Sequence, residues 1–253
     1  MPEYLTQERR NKIVQKLMLD GKLNANELAR IFSVSAETIR KDLIYLEKQG
    51  LAKKGYGGAV ITNELLEHSF IEKSVEHPAE KAGIAQRAAD MVGDGAVIIL
   101  DSGSTVLKMV KFLTLKKGIT VFTNSLRAAQ QLSDFNIKVY LPGGEVRNTS
   151  NALVGGWATR AFGEIKADMA FMGTSGFKGR SGPCVENFPE TEVKKAMIAS
   201  AHKAVVLADS SKAELDAMIQ FARWEDINTL ITDKGIPKDH ALQLERKTNL
   251  IIV

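Results

Sequence analysis

The spacing of apolar residues over the first fifty positions predicts three short helices, each with one apolar face. A residue able to cap a helix stands at the start of each segment, and glycines follow the first and third segments. The predicted helices run from Thr6 to about Asp20, from Asn24 to Phe32 and from Ser35 to Gly50. Their expected buried faces are Ile13, Val14, Leu17 and Met18, then Leu28, Ile31 and Phe32, and then Ile39, Leu43 and Leu46.

Two short extended runs around glycines follow between Leu51 and Val60, and they predict a β-wing. Three helices and a wing form a winged helix-turn-helix, whose second motif helix places its N-terminal residues against base edges in DNA. A lone amphipathic surface helix would show the same apolar stripe, but the joint pattern favours DNA binding by residues 1–60. The expected base-reading residues are Ser35, Glu37, Thr38, Arg40 and Lys41, and the expected backbone or minor-groove contacts are Lys53, Lys54 and Tyr56.

The location of the positive charge in the sequence supports this assignment more than the size of the net charge does. The net charge is +4; residues 1–57 carry 11 Lys and Arg against 7 Asp and Glu, whereas residues 58–253 carry 23 of each. A local basic surplus is expected of a nucleic-acid-binding module. The single cysteine, Cys184, excludes an internal disulfide, and no apolar run approaches the roughly 20 residues of a membrane span. Without a secretory signal pattern, we expect a cytoplasmic protein with no membrane partner.

From Ala79 the pattern changes to helical segments that alternate with short, continuous apolar runs, which is typical of an α/β domain with a mostly parallel sheet. We expect this domain to comprise residues 79–253. Residues 61–78 are acidic and mixed and end at Pro78, and we interpret them as a linker with some helical content. The predicted strands are 96–100, 119–122, 139–141, 169–172 and 204–208.

Each predicted strand ends in small polar residues, and ligands of open α/β sheets lie outside the carboxyl ends of the strands. The loop after residue 100 also precedes a predicted helix from about Val106, whose N-terminus favours an anion such as phosphate. On this loop alone, a plain turn capped by Ser104 or Thr105 is an equal alternative. The expected effector-binding residues are Asp101, Ser102, Gly103, Ser104, Thr105, Thr123, Asn124, Gly143, Gly144, Arg147, Gly173, Lys194, Asp209 and Lys212.

The third helix and the wing resemble the signature of a known family. The run Val34-Ser35-x-x-Thr38-Ile39-Arg40-Lys41-Asp42-Leu43-x-x-Leu46-Glu47-x-x-Gly50, with the later Gly57-Gly58-Ala59, is similar to that of the DeoR family of bacterial sugar-responsive transcriptional regulators. Lys41 stands where a second Arg is common, and Tyr56 where a His is common. Lys keeps a phosphate contact but lacks the bidentate geometry of Arg, so these departures affect the operator sequence.

The resemblance continues in the large domain at Asp101–Thr105, Thr123–Ser125, Gly143–Gly144, Asp168–Gly173 and Asp209–Lys212, with Ser104 where a Thr is more common. It implies an effector domain similar in fold to ribose-5-phosphate isomerase and the coenzyme A transferases, which binds a phosphorylated sugar or sugar acid. The implied protein is a transcriptional regulator, a repressor of a carbohydrate-utilisation operon, that binds operator DNA as a dimer or tetramer.

The alternative is a sugar-phosphate isomerase-like enzyme with an attached DNA-binding module. Aldose–ketose isomerisation needs a positioned carboxylate base and a group that stabilises negative charge on oxygen. Asp168 is followed by apolar residues where the isomerase-like motif carries several acids, which leaves Asp101, Glu190 and Asp209 as possible bases. The four histidines are isolated, and neither a metal-binding cluster nor a dinucleotide fingerprint is present. We therefore expect no catalysis, no metal and no other cofactor.

Overall fold

A computed structural model of the chain describes residues 6–20, 22–48, 53–55, 58–60 and 70–253. The chain divides into two units, residues 1–67 and 68–253. The predicted linker, 61–78, spans this division, and its described part begins with a short helix that packs on the second unit. No helix in the described ranges is long and apolar enough to cross a membrane.

The first unit contains three helices and a three-stranded antiparallel sheet, so the predicted winged helix-turn-helix is confirmed. The helices are α1 (Thr6–Asp20), α2 (Ala25–Phe32) and α3 (Ala36–Lys48). The strands are β1 (Lys22–Asn24), β2 (Lys53–Gly55) and β3 (Gly58–Val60), in the order β1-β3-β2. The sequence did not predict β1, because three residues are too few to display a strand alternation.

Two side-chain caps define the motif helices, as predicted. Asn24 Oδ1 accepts hydrogen bonds from the N–H groups of Asn26 at 2.9 Å and Glu27 at 3.3 Å. Ser35 Oγ accepts from the N–H of Thr38 at 3.0 Å. Each cap satisfies backbone donors that have no partner within the helix, which is worth about 1 kcal/mol. The turn between α2 and α3 is therefore set by local chemistry.

The core of the first unit consists of the predicted apolar faces, with one exception. Leu28 and Phe32 of α2 are buried, whereas Ile31 is 49% exposed, so its predicted burial is wrong. Ile31 lies about 100° around the helix from Phe32 and falls outside the stripe that begins at Ala25. The other buried members are Ile13, Leu17, Leu23, Ile39, Leu43 and Leu46; Val14 is partly buried, and the side chain of Met18 lies outside the described residues.

The second unit is built on a parallel sheet of seven strands in the order β14-β13-β11-β9-β4-β5-β6. Two antiparallel pairs, β7 with β8 and β10 with β12, lie outside this sheet. The strands are β4 (Val97–Leu100), β5 (Thr120–Thr123), β6 (Lys138–Tyr140), β7 (Glu145–Arg147), β8 (Ala152–Val154), β9 (Ala167–Gly173), β10 (Cys184–Val185), β11 (Ala201–Leu207), β12 (Ile219–Gln220), β13 (Thr229–Thr232) and β14 (Asn249–Ile252).

Helices cover both faces of the sheet, which explains why its strands are continuously apolar. In β9, Phe171 packs in one core with α5 to α8, and Ala170 and Met172 pack in the other with α9 to α11. The helices are α4 (Phe70–Val75), α5 (Pro78–Asp90), α6 (Ser104–Leu107), α7 (Val110–Leu113), α8 (Leu126–Ser133), α9 (Gly156–Gly163), α10 (Phe188–Ala199) and α11 (Lys238–Glu245).

The parallel sheet determines where the predicted effector residues lie. Because all its strands run in one direction, their carboxyl ends form a single edge. Asp101 follows β4, Gly173 ends β9 and Asp209 follows β11, and these three strands are adjacent in the sheet. Asp101 and Gly173, which are 72 positions apart in the sequence, thus meet at this edge.

Candidate functional site

The first two turns of α3 present charged side chains to solvent. Glu37, Arg40 and Lys41 are exposed, and Thr38 is half-buried. Arg40 Nη1 lies 3.3 Å from Glu37 Oε2, with both side chains more than half exposed. An exposed pair of this kind is worth less than about 1 kcal/mol, so Arg40 can exchange Glu37 for a phosphate or a base at little cost.

The Ser35 side chain acts mainly within the protein. Besides capping α3, its oxygen lies 2.8 Å from the hydroxyl oxygen of Thr38. The wing residues Lys53 and Lys54 lie in β2, opposite Val60 and Ala59 of β3. The side chains of these two lysines, and Tyr56 as a whole, lie outside the described residues.

An ion-pair cluster that the sequence analysis missed joins α1 to α3. Asp42 is 2% exposed, and its carboxylate accepts from Arg9 Nε at 2.7 Å and Arg10 Nε at 2.8 Å. The Arg10 guanidinium also lies 3.8 Å from the centre of the Tyr45 ring. The signal was present, since Asp42 stands three residues after Ile39 on the apolar face of α3.

Asp101, Gly173 and Lys194 meet at the carboxyl edge of the sheet. Asp101 Oδ2 accepts from the N–H of Gly173 at 3.0 Å and from Lys194 Nζ at 2.5 Å. Lys194 Nζ also donates to the Gly173 carbonyl at 3.0 Å. Asp101 and Lys194 are 2% and 4% exposed. Their opposite charges compensate each other, so the buried pair adds no net charge to the site.

Two glycines lie close together where the loop after β4 crosses the end of β9. A Cβ on Gly103 would lie 3.2 Å from the Cα of Gly173, and one on Gly173 would lie 3.4 Å from the Cα of Gly103. Gly144 is constrained more strongly, because its φ is +154° and a Cβ would lie 2.6 Å from the Val154 carbonyl oxygen. A side chain is therefore excluded at Gly144, and at Gly103 it would require a small shift of the neighbouring backbone.

The helix after the β4 loop differs from the prediction. α6 begins at Ser104, its N-cap is Gly103 without a side-chain capping bond, and it is four residues long. The helix therefore begins two residues before the expected start near Val106, and the alternative of a cap by Ser104 or Thr105 is wrong. A single helical turn has a small macrodipole, so the positive charge for an anion must come mainly from side chains.

Buried lysines are candidates for that charge, and the sequence analysis missed one of them. Lys81 of α5 is 1% exposed, its Nζ donates to the Lys73 carbonyl, and it lies 3.9 Å from Asp209 Oδ2. Burial lowers the pKa of Lys81, the charge of Asp209 opposes this shift, and the charge of Lys212 adds to it. Lys81 stands three residues before Ile84 on the apolar face of α5, which was the available signal.

Two predicted site residues carry buried oxygens without a hydrogen-bond donor among the described residues. Asp209 Oδ1 accepts from the Ser211 hydroxyl, but Asp209 Oδ2 accepts no hydrogen bond. Asn124 Nδ2 donates to the Leu153 carbonyl at 3.3 Å, whereas Asn124 Oδ1 has no donor. A buried polar atom left unpaired costs about 1–3 kcal/mol, and ligand hydroxyl groups are suitable donors for these two oxygens.

Arg147 and Thr123 make protein contacts of their own. Arg147 Nη1 donates to Glu190 Oε1 at 3.2 Å, which joins the β7 strand to α10. The Thr123 hydroxyl oxygen accepts from the N–H of Ser125, and Ser125 caps α8. Contacts of Arg147, Thr123 and Gly143 with an effector stay predictions.

Asp168, one of the carboxylates considered for catalysis, lies at the wrong end of the sheet. It is the second residue of β9, and its Oδ2 accepts from the N–H of Val97 at the start of β4 at 2.8 Å. The amino ends of these strands are separated from the carboxyl edge by the full length of β4. Asp168 therefore supports strand pairing and does not reach Asp101 or Lys194.

Comparison with known proteins divides the chain in the same way. Residues 9–65 match the DeoR-like helix-turn-helix domain, and residues 76–234 match the DeoR C terminal sensor domain. Ribose 5-phosphate isomerase A from Methanocaldococcus jannaschii shares 21% identity with a TM-score of 0.38, over 52% of each chain.

Three curated relatives are similar over nearly their whole length. The HTH-type transcriptional regulator GolR of Listeria innocua is 38% identical over 91% of this chain and 92% of that protein. A putative aga operon transcriptional repressor of Escherichia coli O157:H7 is 31% identical over 98% of this chain and 93% of that protein. The glycerol-3-phosphate regulon repressor of Escherichia coli K12 is 26% identical over 94% of this chain and 98% of that protein.

Proposed function

The chain belongs to the DeoR family of transcriptional regulators, and from this premise we propose that it represses a carbohydrate-utilisation operon under the control of a phosphorylated sugar or sugar acid. The first unit would bind operator DNA in the cytoplasm, and the second unit would bind the effector. The names of two relatives, an aga operon repressor and a glycerol-3-phosphate regulon repressor, support carbohydrate metabolism as the setting.

The DNA-binding half of the proposal is supported by α3. Its N-terminal residues are exposed, its position is set by the Ser35 cap and by Asp42, and Arg40 has only a weak partner in Glu37. In a helix-turn-helix these residues face the base edges of the major groove. The base-reading role would fall to Glu37, Thr38, Arg40 and Lys41, with Ser35 holding the first turn.

The effector-binding half rests on one observation, the balance of charge at the carboxyl edge of the sheet. Three cations there have carboxylate partners, namely Lys194 with Asp101, Arg147 with Glu190 and Lys81 with Asp209. Lys212 is 8% exposed, and its ammonium makes no hydrogen bond or ion pair with the described residues. An ammonium that has no carboxylate partner among the described residues is available to an anion, and hydrogen bonds between two charged groups are strong. Phosphate supplies the anion.

The rest of the ligand is suggested by the unpaired acceptors. Asp209 Oδ2 and Asn124 Oδ1 need donors, and the hydroxyl groups of a sugar or polyol supply them. The combination of a phosphate and hydroxyl groups in one molecule matches all of these side chains together.

Regulation would follow from a shift between two states of a homo-oligomer. An effector that binds one state more tightly shifts the population towards that state. The size of the shift is limited by the difference between its affinities for the two states. Half-sites of a helix-turn-helix dimer are about 34–36 Å apart, so small changes in subunit geometry affect operator affinity.

The decisive measurement is fluorescence anisotropy of labelled DNA from upstream of the gene, titrated with the full chain at two salt concentrations. A panel of pentose 5-phosphates, hexose 6-phosphates, hexose 1-phosphates and glycerol 3-phosphate would be added, with the unphosphorylated sugars as controls. We expect tight, salt-sensitive binding that one phosphorylated compound changes and its unphosphorylated form does not. Operator affinity unchanged by every member of the panel would contradict the effector-binding half.

A further inference from the structure

The short helix α4 docks on the candidate effector site through the carbonyl oxygen of Lys73. This oxygen accepts a hydrogen bond from Ser104 Oγ at 3.3 Å and another from Lys81 Nζ. Ser104 belongs to the predicted phosphate loop and is the first residue of α6, and Lys81 is the buried lysine beside Asp209. One backbone carbonyl therefore occupies two of the donors that are best placed to hold an anion.

The beginning of α4 is held by other segments of the same unit. The N–H of Phe70 donates to the Thr149 carbonyl at 2.9 Å. The Phe70 side chain is 5% exposed, and the Arg127 guanidinium lies 4.7 Å from the centre of its ring. Arg127 Nε has no hydrogen-bond partner among the described residues. The helix is six residues long, so its position depends on these contacts more than on its own backbone bonds.

A phosphate oxygen is a better acceptor for these donors than a peptide carbonyl. The phosphate carries a full negative charge, whereas the carbonyl oxygen carries only a partial one, so the Coulomb attraction of the phosphate to the ammonium of Lys81 is larger. Asp209 forms an ion pair with Lys81 at 3.9 Å but accepts no hydrogen bond from it. An anion can therefore compete with the Lys73 carbonyl for the hydrogen bond of Lys81.

We propose that α4 is a latch. The anionic group of the effector replaces the Lys73 carbonyl as the hydrogen-bond acceptor of Lys81 and Ser104, and α4 is thereby released from the second unit. Lys81 is then an effector-binding residue that the sequence analysis did not identify. The proposal rests on the proposed function for the nature of the ligand. It also gives the site a route to the DNA-binding unit, because α4 is the first described element after the wing in the chain.

Hydrogen–deuterium exchange of the full chain tests the latch, with sodium phosphate as the probe and sodium sulfate and sodium chloride at matched ionic strength for comparison. We expect phosphate to increase exchange in residues 70–77, including the amide of Phe70, while exchange in the 101–105 loop decreases. Slower or unchanged exchange in residues 70–77 with phosphate would overturn the proposal.

Two variants separate the latch from general loss of structure. In Lys81→Met, we expect fast exchange of residues 70–77 before phosphate is added and at least about tenfold weaker phosphate binding, since a bond to a charged group is lost. Ser104→Ala keeps the charge and should give about fivefold faster exchange without phosphate. Lys238→Met, at an exposed position of α11, is the matched control and should behave as the parent chain does.

The outcome also distinguishes the latch from the proposed function. If a sugar phosphate changes operator binding while residues 70–77 exchange as before, the latch is wrong and the regulator stands. If phosphate releases α4 but no phosphorylated compound alters operator binding, the latch stands and the effector-controlled regulator is wrong. Phosphate binding that is equal in Lys81→Met and the parent chain would remove Lys81 from the site.

Discussion

Two charged residues on apolar helix faces have the largest structural consequences in this chain. Lys81 stands on the buried face of α5, and Asp42 stands on that of α3. Each needs a compensating group from another element, which is Asp209 for Lys81 and the arginines Arg9 and Arg10 for Asp42. The hydrophobic pattern predicted the apolar neighbours correctly, but it does not show whether a charge beside an apolar stripe is buried.

Arg40→Ala tests whether Arg40 reads a base. Because the ion pair with Glu37 is exposed and weak, the variant should keep its stability. We expect a loss of about 1–3 kcal/mol in binding to operator DNA and a smaller loss on random DNA, measured by anisotropy at two salt concentrations. Lys54→Ala should weaken binding to both DNAs and lower the salt slope by about one. Equal losses on both DNAs for Arg40→Ala would assign Arg40 to a phosphate.

At the scale of elements, the sequence predicted best those features whose hydrogen bonds join residues close together in the chain. The caps by Asn24 and Ser35 were predicted because the bonds span two or three residues. The alternative of a side-chain cap on α6 was wrong, because Gly103 is the N-cap and the Ser104 hydroxyl donates to the Lys73 carbonyl, 31 positions away. The strands β13 and β14 were not predicted, although both are short apolar runs that complete one side of the sheet.

Asp42→Asn tests the junction between α1 and α3. The amide keeps the shape of the side chain but leaves Arg9, whose side chain is 8% exposed, without its carboxylate partner. The free energy of unfolding of the first unit should therefore fall by about 3 kcal/mol or more. Both tryptophans, Trp157 and Trp224, lie in the second unit. Chemical denaturation should therefore show an earlier transition by circular dichroism with no change in the tryptophan fluorescence midpoint.

The control for this experiment is Glu8→Gln, which removes a carboxylate from an exposed pair with Lys12. We expect this change to alter the free energy of unfolding of the first unit by less than about 1 kcal/mol. If Asp42→Asn has an effect as small as that of the control, the cluster does not determine the position of α3.

At the scale of the whole molecule, the proposed regulation requires that the DNA-binding site and the effector site share one equilibrium. If the effector changes operator affinity by a given factor, operator DNA must change effector affinity by the same factor. Neither unit alone has this property. The latch offers a physical connection, because the effector and the docked position of α4 compete for Lys81 and Ser104.

Reciprocal coupling can be measured directly. The effector identified in the anisotropy experiment would be titrated by calorimetry with and without saturating operator DNA. The two effector affinities should differ by the same factor by which the effector changes operator affinity, which is about 5- to 150-fold in typical cases. Random DNA of the same length serves as the control and should leave effector affinity nearly unchanged. Effector affinity that is independent of operator DNA would separate the two binding events.

The sequence by itself determined the winged helix-turn-helix, five strands of the sheet and the class of partner, because helix periodicity, capping and glycine turns act over a few residues. It also placed Asp101 and Gly173 at strand ends and named Lys194 as a candidate cation of the site. The tertiary structure decided which of these touch, since Lys194 and Asp101 are 93 positions apart and meet only when β4 and β9 pair. It alone revealed Lys81 and the docked α4, because the burial of a charge and the partner of a carbonyl depend on the packing of distant segments.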